Sequence, residues 1–312
     1  MLINLYLILS LIFSGIGLPQ TSNYFDNLTK RDFLAYQKEP TPTIINLKAS
    51  EIYPWGIKET GIEPSARAKS AIAIDIDNSQ ILYAYNEDEV LPTASLTKIM
   101  TGSIALENLS DLNVVITVSR QAALIEGSKM NLWIDEKILL KDLLYGLILK
   151  SGNDAALAME EYHDSKELQD KTFIEKMNDK AKFLGLKKTE YLDSAGITDN
   201  KSTALELSIT LNYALRNQTF REIAGTVQYN CQAQNGSLVH NMTSTNRLLR
   251  TRADTIAGKT GYSEAAGYNF INAFRSPSGH RIVVVVLGAS DHDSRFDESN
   301  KIIDWVYDSY RW

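Results

Sequence analysis

Sulfur chemistry is nearly absent from this chain. Its 312 residues include one cysteine, Cys231, so no disulfide can form within it. Nothing near Cys231 in sequence supplies a base, and the expectation for it is a small buried hydrophobe. Histidine is scarce as well: His163, His240, His280 and His292 are all there are, and none falls into a metal-binding spacing such as H-E-x-x-H. There is no G-x-S-x-G nucleophile elbow. These gaps disfavour a Ser-His-Asp hydrolase, and they call for no metal and no cofactor. Basic charge is in deficit, with a net charge of −6. That argues against a nucleic-acid partner, which wants a basic face. No internal repeat or low-complexity tract is present. What remains is ordinary globular material, 44% apolar and 22% charged, enough for one large domain or two small ones.

Proline is also rare, and its placement is informative. Five of the seven lie between residues 19 and 66. That stretch is polar, lacks a helical or strand period, and reads as a linker or arm. Before it, residues 1–18 are almost continuously apolar, and no charged side chain appears before Asp26. A run of this length suits a signal peptide or an N-terminal membrane anchor, and places the rest of the chain outside the cytoplasmic membrane. A catalytic domain is expected over 67–312. Ala71–Ile76 and Ile81–Tyr85 form a predicted hairpin around Asp77-Asn78-Ser79-Gln80. From Ser95 to about residue 224 the period is mostly helical, with helices expected at 139–150, 154–162, 166–184 and 204–217. A helical subdomain is therefore expected at about 105–224. Strand character returns at 255–260, 268–274 and 281–287. Ile282–Leu287 shows no polar alternation, so it should be a central strand covered on both faces. Arg295–Tyr310 reads as a closing helix. Two strands plus three give a mostly antiparallel five-stranded sheet flanked by helices: an α/β (α+β) fold with an inserted all-helical subdomain.

The chemistry centres on Ala94-Ser95-Leu96-Thr97-Lys98. Serine and lysine three apart on a helix share one face, and only Ser95 among the serines has a lysine at that spacing. A serine hydroxyl needs a base to become a nucleophile, and a neutral lysine amine can serve. Two further motifs follow in order, Ser151-Gly152-Asn153 after the leucine-rich helix and Lys259-Thr260-Gly261 at the end of a strand. The first of these is weak evidence alone, because Ser244-Thr245-Asn246 has the same form.

Taken together, the strings Pro92–Thr101, Lys150–Ala156, Gly258–Tyr262 and Ala266–Asn269 resemble the low-molecular-mass penicillin-binding proteins. More narrowly, they resemble serine-type D-alanyl-D-alanine carboxypeptidases of the β-lactamase/transpeptidase-like superfamily. The resemblance runs over about 68–310 and takes in Gly127–Met130 and Arg295–Ser299. It implies Ser95 as nucleophile, Lys98 as base, Ser151 as proton relay to the departing D-alanine, and Asn153 as a support for Lys98 and the substrate amide. It implies Lys259 as the second cation that depresses the Lys98 pKa. The amides of Ser95 and Tyr262 would receive the oxyanion, and Thr260 and Arg295 would meet the terminal carboxylate. Gly261 would let the substrate strand lie close. The implied partners are a peptidoglycan stem peptide and β-lactam inhibitors, with membrane contact only through the N-terminal segment. Tyr262 stands where relatives often have His or Thr, and the chain ends at the closing helix, where longer relatives continue.

Three other functions stay open at this level. A D-alanyl-D-alanine endopeptidase would use the same residues on crosslinks. A β-lactamase would need a deacylating glutamate, for which Glu206 lies in roughly the right region. A catalytically silent wall-binding module would not require intact Ser95, Lys98, Asn153 and Lys259.

Overall fold

The computed structural model describes residues 63–310, except Ser110, residues 167–169 and Ser237. The expected leader, residues 1–18, and nearly all of the arm at 19–66 lie outside the described residues.

The hairpin forms as the sequence suggests, from Ser70–Asp75 (β1) and Gln80–Tyr85 (β2). The buried Asp75 carboxylate accepts the amides of Asp77 and Asn78 and closes the turn, the usual use of aspartate at such a position. A short strand Leu91–Pro92 (β3) leads into a 3-10 turn at Ala94–Thr97, and the first helix, Lys98–Asn108 (α1), starts directly after it. Ser95 is therefore in the tighter turn, one step ahead of the helix that was expected to carry it.

The middle of the chain is helical in the main but not throughout. Val115–Thr117 (β4) and Lys137–Leu139 (β5) pair antiparallel on either side of the short helix Arg120–Leu124 (α2). Three-residue strands are too short to show a period in sequence. Leu140–Leu149 (α3) is the leucine-rich helix, and Asn153–Asp164 (α4) follows it. The helix expected from residue 166 starts only at Phe173 and runs to Phe183 (α5). Its start is set by a capping box, with the Thr172 hydroxyl on the Glu175 amide and the Glu175 carboxylate on the Thr172 amide, which satisfies two otherwise free donors. Lys201–Ser202 (β6) pairs with β3. The helix expected at 204–217 is Ala204–Ala214 (α6), and a further helix, Gln218–Ala224 (α7), capped by Asn217, follows it.

A hairpin missed in sequence follows, Gln228–Gln232 (β7) and Val239–Thr243 (β8). After a single turn at Leu248–Thr251 (α8) come Thr255–Ser263 (β9), Gly267–Arg275 (β10) and Arg281–Ala289 (β11), then the closing helix Ser294–Ser309 (α9).

The main sheet has the order β2-β1-β11-β10-β9, with every neighbouring pair antiparallel. Strand β11 is central, and its alternate residues feed two cores. Val283, Val285 and Leu287 join the large core under the helical insertion. Ile282, Val284 and Val286 join the smaller one beneath α9, with Phe296, Ile302 and Val306. That double coverage is why its sequence shows no polar alternation. Each buried aliphatic side chain of this kind contributes about 1.5–3 kcal/mol. Strand β9 is left at the sheet edge, beside the 3-10 turn, and the candidate site lies along that seam.

Candidate active site

The turn that carries Ser95 is held from three sides. The Thr93 amide donates to the Asn200 carbonyl at 3.0 Å. From β10, the Asn269 side-chain amide donates to the carbonyls of Pro92 (3.0 Å) and Thr93 (3.3 Å), while its oxygen accepts the Gly288 amide. Gly261 of β9 presses on the same turn: a Cβ there would stand 3.1 Å from the Thr93 carbonyl and 3.3 Å from the Leu96 amide. Glycine at 261 thus lets β9 approach the turn that carries Ser95. Ala94 completes the turn with φ of +46°, a left-handed conformation that costs a non-glycine residue about 1 kcal/mol or more. Strain of this kind persists where the surroundings over-determine it.

Lys98 is fully buried. Its amine contacts Ser95 Oγ at 2.9 Å, Asn153 Oδ1 at 2.8 Å and the Ala195 carbonyl at 2.5 Å. Burial pushes its pKa down from 10.5 to about 7, against the charges of Asp193 and Asp154, which raise it. A neutral amine has two N–H bonds and one lone pair. The Ala195 and Asn153 oxygens can only accept, so they take both N–H groups. The lone pair then faces the Ser95 hydroxyl, the geometry of a general base.

Asn153 is the first residue of α4, and Gly152 rather than Asn153 occupies the cap. Its amide nitrogen donates to the Ser128 carbonyl at 2.7 Å, and its side-chain nitrogen to the Glu126 carbonyl at 2.7 Å. These two bonds fix the oxygen on Lys98 and account for the Gly127–Met130 string. Ser151, two residues before, is also left-handed, with φ of +57°, and its hydroxyl receives the Lys259 amine at 2.8 Å. Lys259 is fully buried too, and donates as well to the Thr260 carbonyl. Burial first, then the charges of Lys98 and Arg295, hold its pKa well below the ordinary lysine value. The Thr260 hydroxyl pairs with that of Thr245 at 2.7 Å.

Arg295 reaches the site from α9 and is buried. One of its end nitrogens donates to the Gly261 carbonyl at 3.2 Å, and its Nε has no partner among the described residues. Burial lowers its pKa to about 10. Tyr262 stands at the edge, half exposed, its ring 4.4 Å from that of Tyr268.

Sequence reading missed the floor of the site. The Asp193 carboxylate gathers the amides of Ala195, Gly196, Ile197 and Thr198 together with the Thr198 hydroxyl. That turn aims the Ala195 carbonyl at Lys98. Gly196 has φ of +77°, and a Cβ on it would collide with the Ala94 carbonyl at 2.0 Å. Asn200 ties the same turn to the Thr97 hydroxyl at 3.0 Å. Asp193-Ser194-Ala195-Gly196 does carry turn chemistry that could have been noticed; the role of a backbone carbonyl leaves no trace in side-chain identity. Glu206, weighed as a deacylating base, is committed elsewhere. Its carboxylate accepts the Lys188 amide at 3.0 Å and the Thr189 hydroxyl at 2.6 Å. Cys231 is only half-buried, and its thiol pKa is pushed up to about 12, which keeps it protonated and inert. Asn246 of the second S-x-N string bonds Asn272 inside the fold.

Comparison with known proteins gives the family. The family model described as D-alanyl-D-alanine carboxypeptidase matches residues 58–291. A D-alanyl-D-alanine carboxypeptidase of Bacillus subtilis is 32% identical over 254 residues, which is 80% of this chain and 64% of that protein. A D-alanyl-D-alanine endopeptidase of Haemophilus influenzae is 31% identical over 215 residues, 67% of this chain and 72% of that one. The crystal structure of a Streptomyces DD-transpeptidase superposes with a TM-score of 0.74 at 28% identity, covering 79% of this chain and 99% of the other. The chain thus spans just under two thirds of the Bacillus relative, and it belongs to the D-alanyl-D-alanine carboxypeptidase family.

Proposed function

We propose that this protein hydrolyses the terminal D-Ala–D-Ala bond of peptidoglycan stem peptides through an acyl-enzyme on Ser95. The observation that carries the reading is the buried Lys98 amine, 2.9 Å from Ser95 Oγ, with both of its N–H groups claimed by fixed acceptors. In this reading Lys98 takes the Ser95 proton as Oγ attacks the carbonyl of the penultimate D-alanine. The amides of Ser95 and Tyr262 receive the oxyanion. Ser151 accepts a hydrogen bond from Lys259, so its own proton is free to pass to the departing amine; the proton that Lys98 took from Ser95 then replaces it, which returns Lys98 to the neutral form. Thr260 and Arg295 meet the terminal carboxylate, and Asn153 holds the substrate amide. Water then enters, gives its proton back through Lys98, and releases the shortened peptide and free Ser95. A β-lactam enters as a mimic of the same bond and stays as the acyl adduct.

The substrate lies outside the cytoplasmic membrane, so the protein acts there, with residues 1–18 as leader or anchor, 19–66 as linker and 67–312 as the catalytic unit. Among the described residues no helix is long and apolar enough to cross a membrane. The test is release of D-alanine from a free pentapeptide, compared with cleavage of a crosslinked dimer, by the native protein and by Ser95→Ala. Release from the pentapeptide that vanishes in Ser95→Ala supports the reading. Cleavage of the dimer alone would move the assignment to an endopeptidase. Release that survives in Ser95→Ala would refute the mechanism.

A further inference from the structure

A concavity adjoins the S-G-N loop at Lys150. It is a cleft of about 260 Å³ whose walls include Met130, Asn131, Trp133, Lys150, Val239 and Asn241. It is continuous with the catalytic seam through two backbones. Lys150 immediately precedes Ser151, and Met130 is two residues from Ser128, whose carbonyl holds the Asn153 amide at 2.7 Å.

The cleft is built rather than accidental. Its floor is His240, buried at 6% exposure. The His240 ring bonds Glu136 at 2.6 Å and the Met130 carbonyl at 3.2 Å, so both ring nitrogens are spent and the hairpin β7–β8 is fastened to the 130–136 segment. From the other side Asp154 receives the amides of Met130 and Leu132 at 3.0 and 3.1 Å. On this fixed frame Trp133 is 63% exposed, and Val239 is 56% exposed. A large indole face left in water at the mouth of a cleft is the kind of surface that marks recognition.

We propose that this cleft is a subsite for the N-acetylated sugar that carries the stem peptide. The proposal rests on the functional reading above and names a further part of its substrate. Two observations select a sugar. The cleft sets the flat apolar Trp133 face beside two neutral hydrogen-bonding amides, Asn131 and Asn241, which suits a ring with C–H faces and hydroxyl and acetamido edges. No carboxylate lines the cleft among the described residues, and Lys150 is the charged side chain on its walls.

The experiment compares kcat/KM for D-alanine release from a free pentapeptide and from the same pentapeptide carrying the N-acetylglucosaminyl–N-acetylmuramyl disaccharide. The native protein should prefer the glycosylated substrate by about tenfold or more. Trp133→Ala should lose that preference, keep its rate on the free peptide, and keep its rate of acylation by penicillin; Trp133→Phe should retain part of it. Equal kcat/KM for the two substrates in the native protein, or a preference that persists in Trp133→Ala, would overturn the proposal. A second measurement holds even if no D-alanine is released from either substrate, the outcome that would count against the functional reading instead. The disaccharide alone, titrated into Ser95→Ala protein, should quench indole fluorescence, and the quench should vanish when Trp133→Ala is added. Quenching by the peptide and not by the disaccharide would assign the cleft to the peptide and refute the sugar.

Discussion

The rate at which a β-lactam acylates Ser95 should follow the titration of one buried amine. As the proposed base Lys98 would act only when neutral, and burial brings its pKa from 10.5 to about 7. Because the active form is the deprotonated one, activity must rise with pH and level off above that value. The neutral fraction is about one-tenth at pH 6, one-half at pH 7 and nine-tenths at pH 8, so the rate should gain about tenfold from pH 6 to 8 and little beyond. A solvated lysine would behave differently. At pH 7 only about 3 in 10,000 molecules would be neutral, and the rate would climb about a hundredfold from pH 6 to 8 and continue past pH 9. Stopped-flow acylation with a fluorescent penicillin between pH 5.5 and 9 separates the two curves. A rate still rising tenfold per unit between pH 8 and 9 would refute the claim that Lys98 is the base in the environment described here.

Other outcomes follow from the same geometry. Asp193→Ala removes both the turn that aims the Ala195 carbonyl and a negative charge that raises the Lys98 pKa. Acylation should fall about 10- to 100-fold while the midpoint of its pH profile moves to lower pH, a pairing that simple loss of folding would not produce. Gly196→Ala sets a Cβ against the Ala94 carbonyl in a left-handed backbone. It should cost about 2 kcal/mol or more in urea unfolding and abolish penicillin labelling. His240 has its pKa raised by Glu136 in the folded state. Its contribution is therefore complete below the unfolded value near 6.5 and is lost as pH rises through the folded one. The gap in Tm between the native protein and His240→Gln should accordingly be wider at pH 6 than at pH 9.

How far sequence carried this account depended on the length scale of each feature. The central strand was visible because six consecutive apolar residues at Ile282–Leu287 can only be covered on both faces. The closing helix and the leucine-rich helix were visible because their apolar stripes repeat over several turns. Hairpin β7–β8 was not, because its alternation runs through Tyr229, Cys231, His240 and Met242, two of them polar side chains that are covered only through their bonds to Asp142 and Glu136. The start of α5 was misjudged by seven residues because the apolar period ignored the Thr172–Glu175 cap. At the site, side-chain identity pointed to Ser95, Lys98, Ser151, Asn153 and Lys259, which lie on the 3-10 turn, α1, the S-G-N loop, α4 and β9 and are brought together by the fold. The Ala195 carbonyl, which sets the proton arrangement of Lys98, could not be found that way, since every residue has a carbonyl. Asn269 was part of a recognisable string, but its task of holding Pro92 and Thr93 appeared only with β10 placed beside the turn.

The most direct measurement is mass spectrometry of the protein after exposure to benzylpenicillin, with peptide mapping of the adduct. One penicilloyl group on Ser95, absent from Ser95→Ala and formed far more slowly in Lys98→Ala, is the expected result. An adduct on any other side chain, or undiminished labelling once Lys98 is gone, would contradict the central claim that this buried amine activates this serine.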